Sequence, residues 1–528
     1  MSCDSGTPRR RRTTPVRRAG ACKLRPGESP GILFLFKDIL YVANPLGLLL
    51  VAFSAAYIGP IGAAYLGPIG AALIYGDGAL RPFLLAGAAD LLAGLALWRF
   101  TRPYARELKS RDGYLLVALA WVLTALSASL PLLLALPQLS FTGAYFEAMS
   151  GVTTSGATVL GGLDALPHAV NLWRHELCWL GGLGIITLAM AVLPLLGIGG
   201  MQVYRAEATG PIKESRLTPR LVQTARSLWI IYIVLTLACF LLLRLAGMNW
   251  FDALCHACSA LSLSGFSTHD ASIGYFNSPL IELVLIAFML LAGINFATHY
   301  VAWRSQSLKT YRRDIEARAF LLVTVGSVLL LAGYVWHSGV YPSFWLALRH
   351  VGFNAVSVIT NCGLTSVDYA RWPMVVCMWM LLLSCVAASA GSTGGGIKMI
   401  RTLILFKQSA RELYALVHPT AVHTLKIGGQ VVSERAALSV FSLVHLYTVT
   451  VIVLSLLLIL SGMDYLSAMS AVLAMINNGA HGLGTVGPSH TFAGLNHFQT
   501  WVCTFAMLAG RLELFMILVP LTPAFWRE

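Results

Sequence analysis

Thr153-Thr154-Ser155-Gly156-Ala157, Leu263-Ser264-Gly265-Phe266-Ser267, Asn361-Cys362-Gly363-Leu364-Thr365 and Ala480-His481-Gly482-Leu483-Gly484 are four short polar strings that interrupt a greasy chain at wide intervals. Each follows a short, mostly apolar segment and precedes a long hydrophobic run. Each centres on a glycine. Repeated four times, the pattern predicts a ring of four backbone loops round one pore. Carbonyl oxygens in such loops can replace the water shell of a dehydrated cation.

The rest of the chain supplies the membrane frame. Of 528 residues, 57% are hydrophobic and only 11% charged, and the mean hydropathy is +0.72. A soluble fold of this length could not hide so much apolar surface. The apolar runs are continuous rather than alternating, so the spans are helices and not barrel strands. At about 20 residues per crossing, the chain accommodates ten spans and four shorter re-entrant segments. The fold class is therefore an all-α polytopic membrane protein: two extra N-terminal transmembrane helices, then four span–pore-helix–span repeats around one central pore.

The net charge of +14 does not signal nucleic acid. Lys and Arg gather in one set of loops, around Arg102–Arg111, Arg205–Arg220 and Arg304–Arg318, and in the N-terminal run Arg9–Arg12, Arg17, Arg18, Lys23 and Arg25. The alternate loops carry little beyond Asp164, Asp270, Asp368 and Arg371. The positive-inside bias places the N-terminus in the cytoplasm and the four strings toward the outside. Residues 1–35 read as a basic, disordered cytoplasmic tail that can touch anionic lipid. No apolar region follows the tail at once, so it is not a cleaved signal. The ten cysteines are scattered. Cys255-His256-Ala257-Cys258 imitates a metal motif but reads as small residues on a buried short helix.

The extra pair of spans occupies 36–113. Inside it, Ala55–Gly62 repeats as Ala63–Gly70 with one change, and the Gly59-Pro60 and Gly67-Pro68 pairs predict a kinked first helix over 40–75. Four pore repeats with their cytoplasmic loops then cover 114–225, 226–318, 319–435 and 436–528. Their short helices begin near Phe141, Phe251, Phe344 and Asp464. Ser150, Ser259 and Ser357 each lie six residues before a string's glycine, which supports internal repetition. The fourth string departs: Ile476 sits six before Gly482. Gly482 is taken as its centre, with Gly479 as the rival.

Non-helical backbone at membrane depth is tolerated only when buried in protein or lining a wet cavity. Glycine permits the positive φ that aims successive carbonyls inward. Short helices entering from outside point their partly negative C-terminal ends at the pore. No ring of carboxylates lies at the strings, so a monovalent cation suits them better than a divalent one. Asp164, Asp270 and Asp368 read as solvated loop residues that mildly concentrate cations.

Two features suggest a gate. The span Pro373–Lys407 is overlong and holds Gly391-Ser392-Thr393-Gly394-Gly395-Gly396 in its middle. Each interior glycine costs a helix about 1 kcal/mol relative to Ala, so this stretch is a loop that can block the pathway and withdraw, or else a packed kink. It ends Gly396-Ile397 and lacks the Gly-Lys-Ser/Thr close of a phosphate loop. Arg511 lies within an apolar run, where insertion costs about 2.5–3.5 kcal/mol and marks a pathway by default. It either faces the lumen or pairs structurally. Glu513, two residues on, cannot share its helical face. Arg174, His175 and Glu176 read as interfacial.

The strings, with Phe146–Gly151, Gly265–Asp270, Gly391–Lys398 and Gly510–Glu513 in order, resemble the TrkH/KtrB/HKT superfamily of potassium transport proteins, most closely its TrkH branch. The resemblance spans about residues 35–528. It implies potassium uptake across a bacterial inner membrane. Thr154, Ser155, Gly156, Ser264, Gly265, Asn361, Cys362, Gly363, His481 and Gly482 would then form the potassium filter, and Gly391–Gly396 with Arg511 the gate. It also implies a homodimer and a cytoplasmic nucleotide-binding subunit of TrkA type, with no cofactor and no covalent chemistry. The branch usually shows a Gly-Pro-Gly-like turn at its fourth filter, where this chain has Ala480-His481-Gly482. A sodium-permeable relative and a membrane-embedded metalloenzyme remain as rival readings.

Overall fold

The computed structural model describes residues 32–57, 67–106, 108–192, 220–386, 388–420 and 424–526. Most of the basic tail, the junction of the two octapeptides, and Arg205, Lys213 and Arg216 lie outside them. Among the described residues the only strands form a two-residue ladder, Lys426–Ile427 with Gln430–Val431, on the loop before the fourth repeat.

The first extra helix, α1 (Ile32–Ser54), gives way to a 3-10 turn at Ala55–Tyr57. The next described helix is α2 (Pro68–Tyr75). The kink expected over 40–75 falls largely on residues 58–66, which lie outside the described residues. Pro68 opens α2, where its missing N–H leaves no intrahelical bond unmade. Next comes α3 (Leu80–Thr101). It crosses α1 through glycines: a methyl on Gly47 would fall 2.5 Å from the Trp98 nitrogen, and one on Gly94 2.8 Å from that of Val51. Small residues let membrane helices approach this closely. The pair is tied to the first repeat at Asp90, which accepts from Tyr57 Oη at 2.5 Å and from Ser127 Oγ.

The first repeat is α4 (Ser110–Ala135), α5 (Phe141–Val152) and α6 (His168–Val192). The second is α7 (Arg220–Leu245), α8 (Trp250–Ser262) and the pair α9 (Pro279–Ala292) and α10 (Phe296–Ser305). After the short α11 (Lys309–Arg313), the third holds α12 (Ile315–His337), α13 (Phe344–Ile359), α14 (Met374–Ser384) and α15 (Met399–Val417). The fourth comprises α16 (Glu434–Leu460), α17 (Tyr465–Ile476), α18 (His497–Arg511) and α19 (Phe515–Leu521). Among the described residues, α1, α3, α4, α7, α12 and α16 are each long and apolar enough to cross a membrane. The pairs α9/α10 and α18/α19 are spans bent by 95° and 112°. Counting each bent pair as one span gives up to eight among the described residues; the 25-residue α6 and the pair α14/α15 stand where the first and third repeats have their second span.

The four short helices, α5, α8, α13 and α17, start alike. Ser140, Asn249, Ser343 and Asp464 each cap one, accepting from the backbone N–H three residues on. Capping satisfies an otherwise orphaned donor and fixes where the helix begins. All four are largely buried, and each runs directly into one of the strings.

Candidate filter and gate

The loops leave their helices by the same path. Ser155 N donates to Ser150 O, Ser264 N to Ser259 O, Cys362 N to Ser357 O and Gly479 N to Ala474 O, at 2.8–3.1 Å. Thr154, Leu263, Asn361 and Asn478 all turn through positive φ (58°, 55°, 63° and 53°). Two residues later stand Gly156, Gly265, Gly363 and Ala480. The three glycines again take positive φ, while Ala480 does not.

This register corrects the reading of the fourth string. Its counterpart of Gly156 is Ala480, neither Gly482 nor Gly479. Gly482 turns back onto its own helix, where a methyl would fall 2.9 Å from Ser470 Oγ and 3.0 Å from Ala471 N. Its N–H donates to Val486 O at 3.0 Å. Ala474 stands where the other repeats carry serine, so the serine offset had nothing to align on.

The loops meet in order round one axis. A methyl on Gly156 would fall 1.4 Å from Ser264 O, one on Gly265 2.3 Å from Cys362 O, and one on Gly363 2.3 Å from Ala480 Cβ. Asn478 closes the ring, donating to Ser155 Oγ at 2.9 Å and to Met507 O at 3.0 Å. Asn361 donates outward to Ser384 O at 3.0 Å, and Asn477 bridges Ser384 Oγ and Tyr447 Oη. The Asn361, Asn477 and Asn478 side chains are thus spent on bracing the loops.

Behind the first two loops lies a charge pair that the sequence reading misplaced. Arg174 is 1% exposed rather than interfacial. Its Nε donates to Glu147 Oε1 at 2.7 Å, and Nη1 to Ser267 O at 3.3 Å. The guanidinium lies 4.2 Å from the Phe266 ring centroid. Glu147 also accepts from Thr158 Oγ1 at 2.9 Å and Val159 N at 3.0 Å. His175 and Glu176 are buried as well. His256 braces the second loop through Ser267 Oγ at 2.9 Å. Among the described residues no group of three His, Cys, Asp or Glu side chains could hold a metal ion.

Beside the first two loops, Asp164 and Asp270 do more than sit in solvent. His269 bridges Asp164 and Asp252, and Asp270 accepts from Leu163 N at 3.1 Å. The hydrogen bond from His269 holds the Asp164 carboxyl below its ordinary range.

The glycine-rich stretch is a loop between α14 and α15, and it lies against the inner ends of the pore helices. A methyl on Gly394 would fall 2.9 Å from Thr360 O, and one on Gly395 1.9 Å from Asn477 O. Thr393 Oγ1 donates to Leu261 O at 2.9 Å. Ser392 Oγ donates to Ser389 O. Gly391 and Gly396 take φ of 74° and 81°, and Gly391 O accepts from Phe296 N at 3.1 Å. Glu316 pins the two flanks by accepting from Ala390 N and from Ile400 N.

Arg511 ends α18 and is 8% exposed. It donates to Thr393 O at 2.9 Å, Gly181 O at 2.7 Å and Gly182 O at 3.3 Å. It thus joins the loop to α6 of the first repeat. Between them, Thr393, Gly394, Gly395 and Arg511 connect the loop to all four repeats. Glu513, at φ 52° past the helix end, pairs instead with Arg401.

A family model described as TrkH, cation transport protein, matches residues 82–526. The Trk system potassium uptake protein TrkH of Salmonella typhimurium is 44% identical over 92% of this chain and 99% of its own length. That of Vibrio parahaemolyticus is 44% identical over 93% and 100%. The crystal structure of the potassium transporter TrkH from Vibrio parahaemolyticus superposes with a TM-score of 0.83, at 42% identity, covering 93% of this chain and all of that one. This chain belongs to the TrkH family of cation transport proteins, a family of transporters and not of enzymes.

Proposed function

We propose that this chain carries potassium ions inward across the inner membrane of a bacterium. Main-chain carbonyls of Thr154, Ser155, Gly156, Ser264, Gly265, Asn361, Cys362, Gly363 and, in the fourth loop, Asn478, Gly479 and Ala480 replace the ion's water. The observation that carries this reading is the ordered approach of the four loops round one axis. Fixed backbone dipoles at the ends of four helices stabilise a partly dehydrated monovalent cation. Potassium is the cargo, and no resident cofactor enters the scheme.

The loop Gly391–Gly396, seated under the filter and tethered by Arg511, is the gate. Withdrawing it opens the path to the cytoplasm. The N-terminus lies inside, in line with the basic loops. The transporter works as a homodimer, and a separate nucleotide-binding subunit of TrkA type moves the gate; the shortness of the cytoplasmic loops and the resemblance to Trk proteins support that division.

The test is flux through the purified full-length chain in liposomes under an imposed potential, with potassium and sodium compared. Potassium should move faster. Equal rates would favour the sodium-permeable reading, and absence of any cation flux would overturn the proposal.

A further inference from the structure

Ala480 occupies the ring position that glycine holds in the other three loops, and its methyl group has somewhere specific to go. The ring runs from Gly156 to Ser264, Gly265 to Cys362, Gly363 to Ala480, and from Asn478 back to Ser155. The first and third loops are therefore the neighbours of the fourth, and the second lies across the axis. Yet a methyl built on Gly265 would fall only 3.0 Å from Ala480 Cβ, besides the 2.3 Å for one built on Gly363. The Ala480 methyl therefore reaches into the middle of the ring toward the opposite loop.

We propose that Ala480 sets the upper size limit of the filter, passing potassium while disfavouring the larger rubidium and caesium ions. A methyl offers no lone pair to a dehydrated cation and takes up lumen volume. A wider ion must push it aside. The fourth loop has little room to retreat, because Asn478 is bonded on two sides. Ala480 has no positive φ, so exchanging it for glycine relieves no backbone strain and changes only the methyl.

The inference rests on the four loops being a cation pathway. It is tested by rubidium and potassium flux through the full-length chain in liposomes, for wild type, Ala480→Gly and Ala480→Ser. One methyl in a close-fitting site is worth on the order of tenfold in discrimination. Ala480→Gly should raise the rubidium-to-potassium ratio by about that factor, and Ala480→Ser should lower it. Wild-type potassium flux with an unchanged ratio in Ala480→Gly overturns the inference and leaves the pathway standing. Wild-type protein that moves neither ion overturns both. If Ala480→Gly does not assemble, the bulkier serine variant decides, since an unchanged or higher ratio there is equally fatal.

Discussion

Replacing Arg511 with alanine should open the gate. In the structure its guanidinium donates to three carbonyls, but only Thr393 O belongs to the glycine-rich loop. Gly181 and Gly182 lie on α6, outside the loop. The bond to Thr393 is therefore the part that biases the loop. A hydrogen bond to a charged group contributes about 1.5–3 kcal/mol, a factor of roughly 10–150 in the ratio of withdrawn to seated loop. Arg511→Ala also removes a positive charge beneath the filter, which acts in the same direction. Arg511→Lys separates the two effects, because lysine keeps the charge but lacks the planar fork that spans several carbonyls. The assay is potassium flux in liposomes without any partner subunit. Arg511→Ala should exceed wild type, and Arg511→Lys should fall between them. Wild-type flux from a well-assembled Arg511→Ala protein would refute the idea that this side chain holds the loop.

Further outcomes follow from other parts of the site. Gly156→Ser places a side chain where a Cβ falls 1.4 Å from Ser264 O, so the first two loops must part and potassium-over-sodium selection should relax; an unchanged permeability ratio counts against a filter role. Glu147→Gln leaves Arg174 buried without its carboxylate, and breaking a buried pair typically costs about 3–5 kcal/mol; the detergent-solubilised protein should melt well below wild type, and Arg174→Met added to it should recover part of the loss. Asp164 has its folded-state pKa lowered by His269, so its contribution is complete above the unfolded aspartate value of about 3.9 and is lost as pH falls through the lower folded value. Asp164→Asn should remove that acid-side loss from stability measured against pH, and an identical acid limb in both proteins would contradict the tie.

Much of the architecture was legible because the membrane forces it into the sequence. Continuous apolar runs had to be helices, and polar strings between them had to be buried in protein or line something wet. Three of the four ring positions showed through the serine six residues upstream. The fourth did not, because Ala474 replaces the serine and Ala480 the glycine, while Gly479 and Gly482 flank the true position and mislead. The capping residues supply a second ruler. Sixteen residues separate the capping residue from the ring position in three repeats: Ser140 to Gly156, Asn249 to Gly265 and Asp464 to Ala480. In the third repeat the helix is 16 residues long instead of 12 or 13, about one extra turn, and the interval from Ser343 to Gly363 stretches accordingly. The Glu147–Arg174 pair was not legible at all. An arginine beside His175 and Glu176 at the head of a span looks interfacial until the fold brings the pore helix against it.

If the loop Gly391–Gly396 is the gate proposed above, its glycines determine what it touches, and this binds gate to filter. Gly394 and Gly395 allow the loop to press on Thr360 O and Asn477 O, the residues that directly precede Asn361 and Asn478 in the third and fourth loops. Asn477 is in turn held by Tyr447 and Ser384, and Ser384 ends α14, from which the gate loop departs. Withdrawal of the loop would uncover helix-end carbonyls in two repeats, next to the brace from Asn361 to Ser384 O. Those carbonyls are part of the negative field that favours a cation in the filter. If seating the loop changes how well the filter holds an ion, then ion occupancy must change how firmly the loop is seated, by the same free energy. A gate built of bulkier residues could not lie this close, and would leave the filter indifferent to its position.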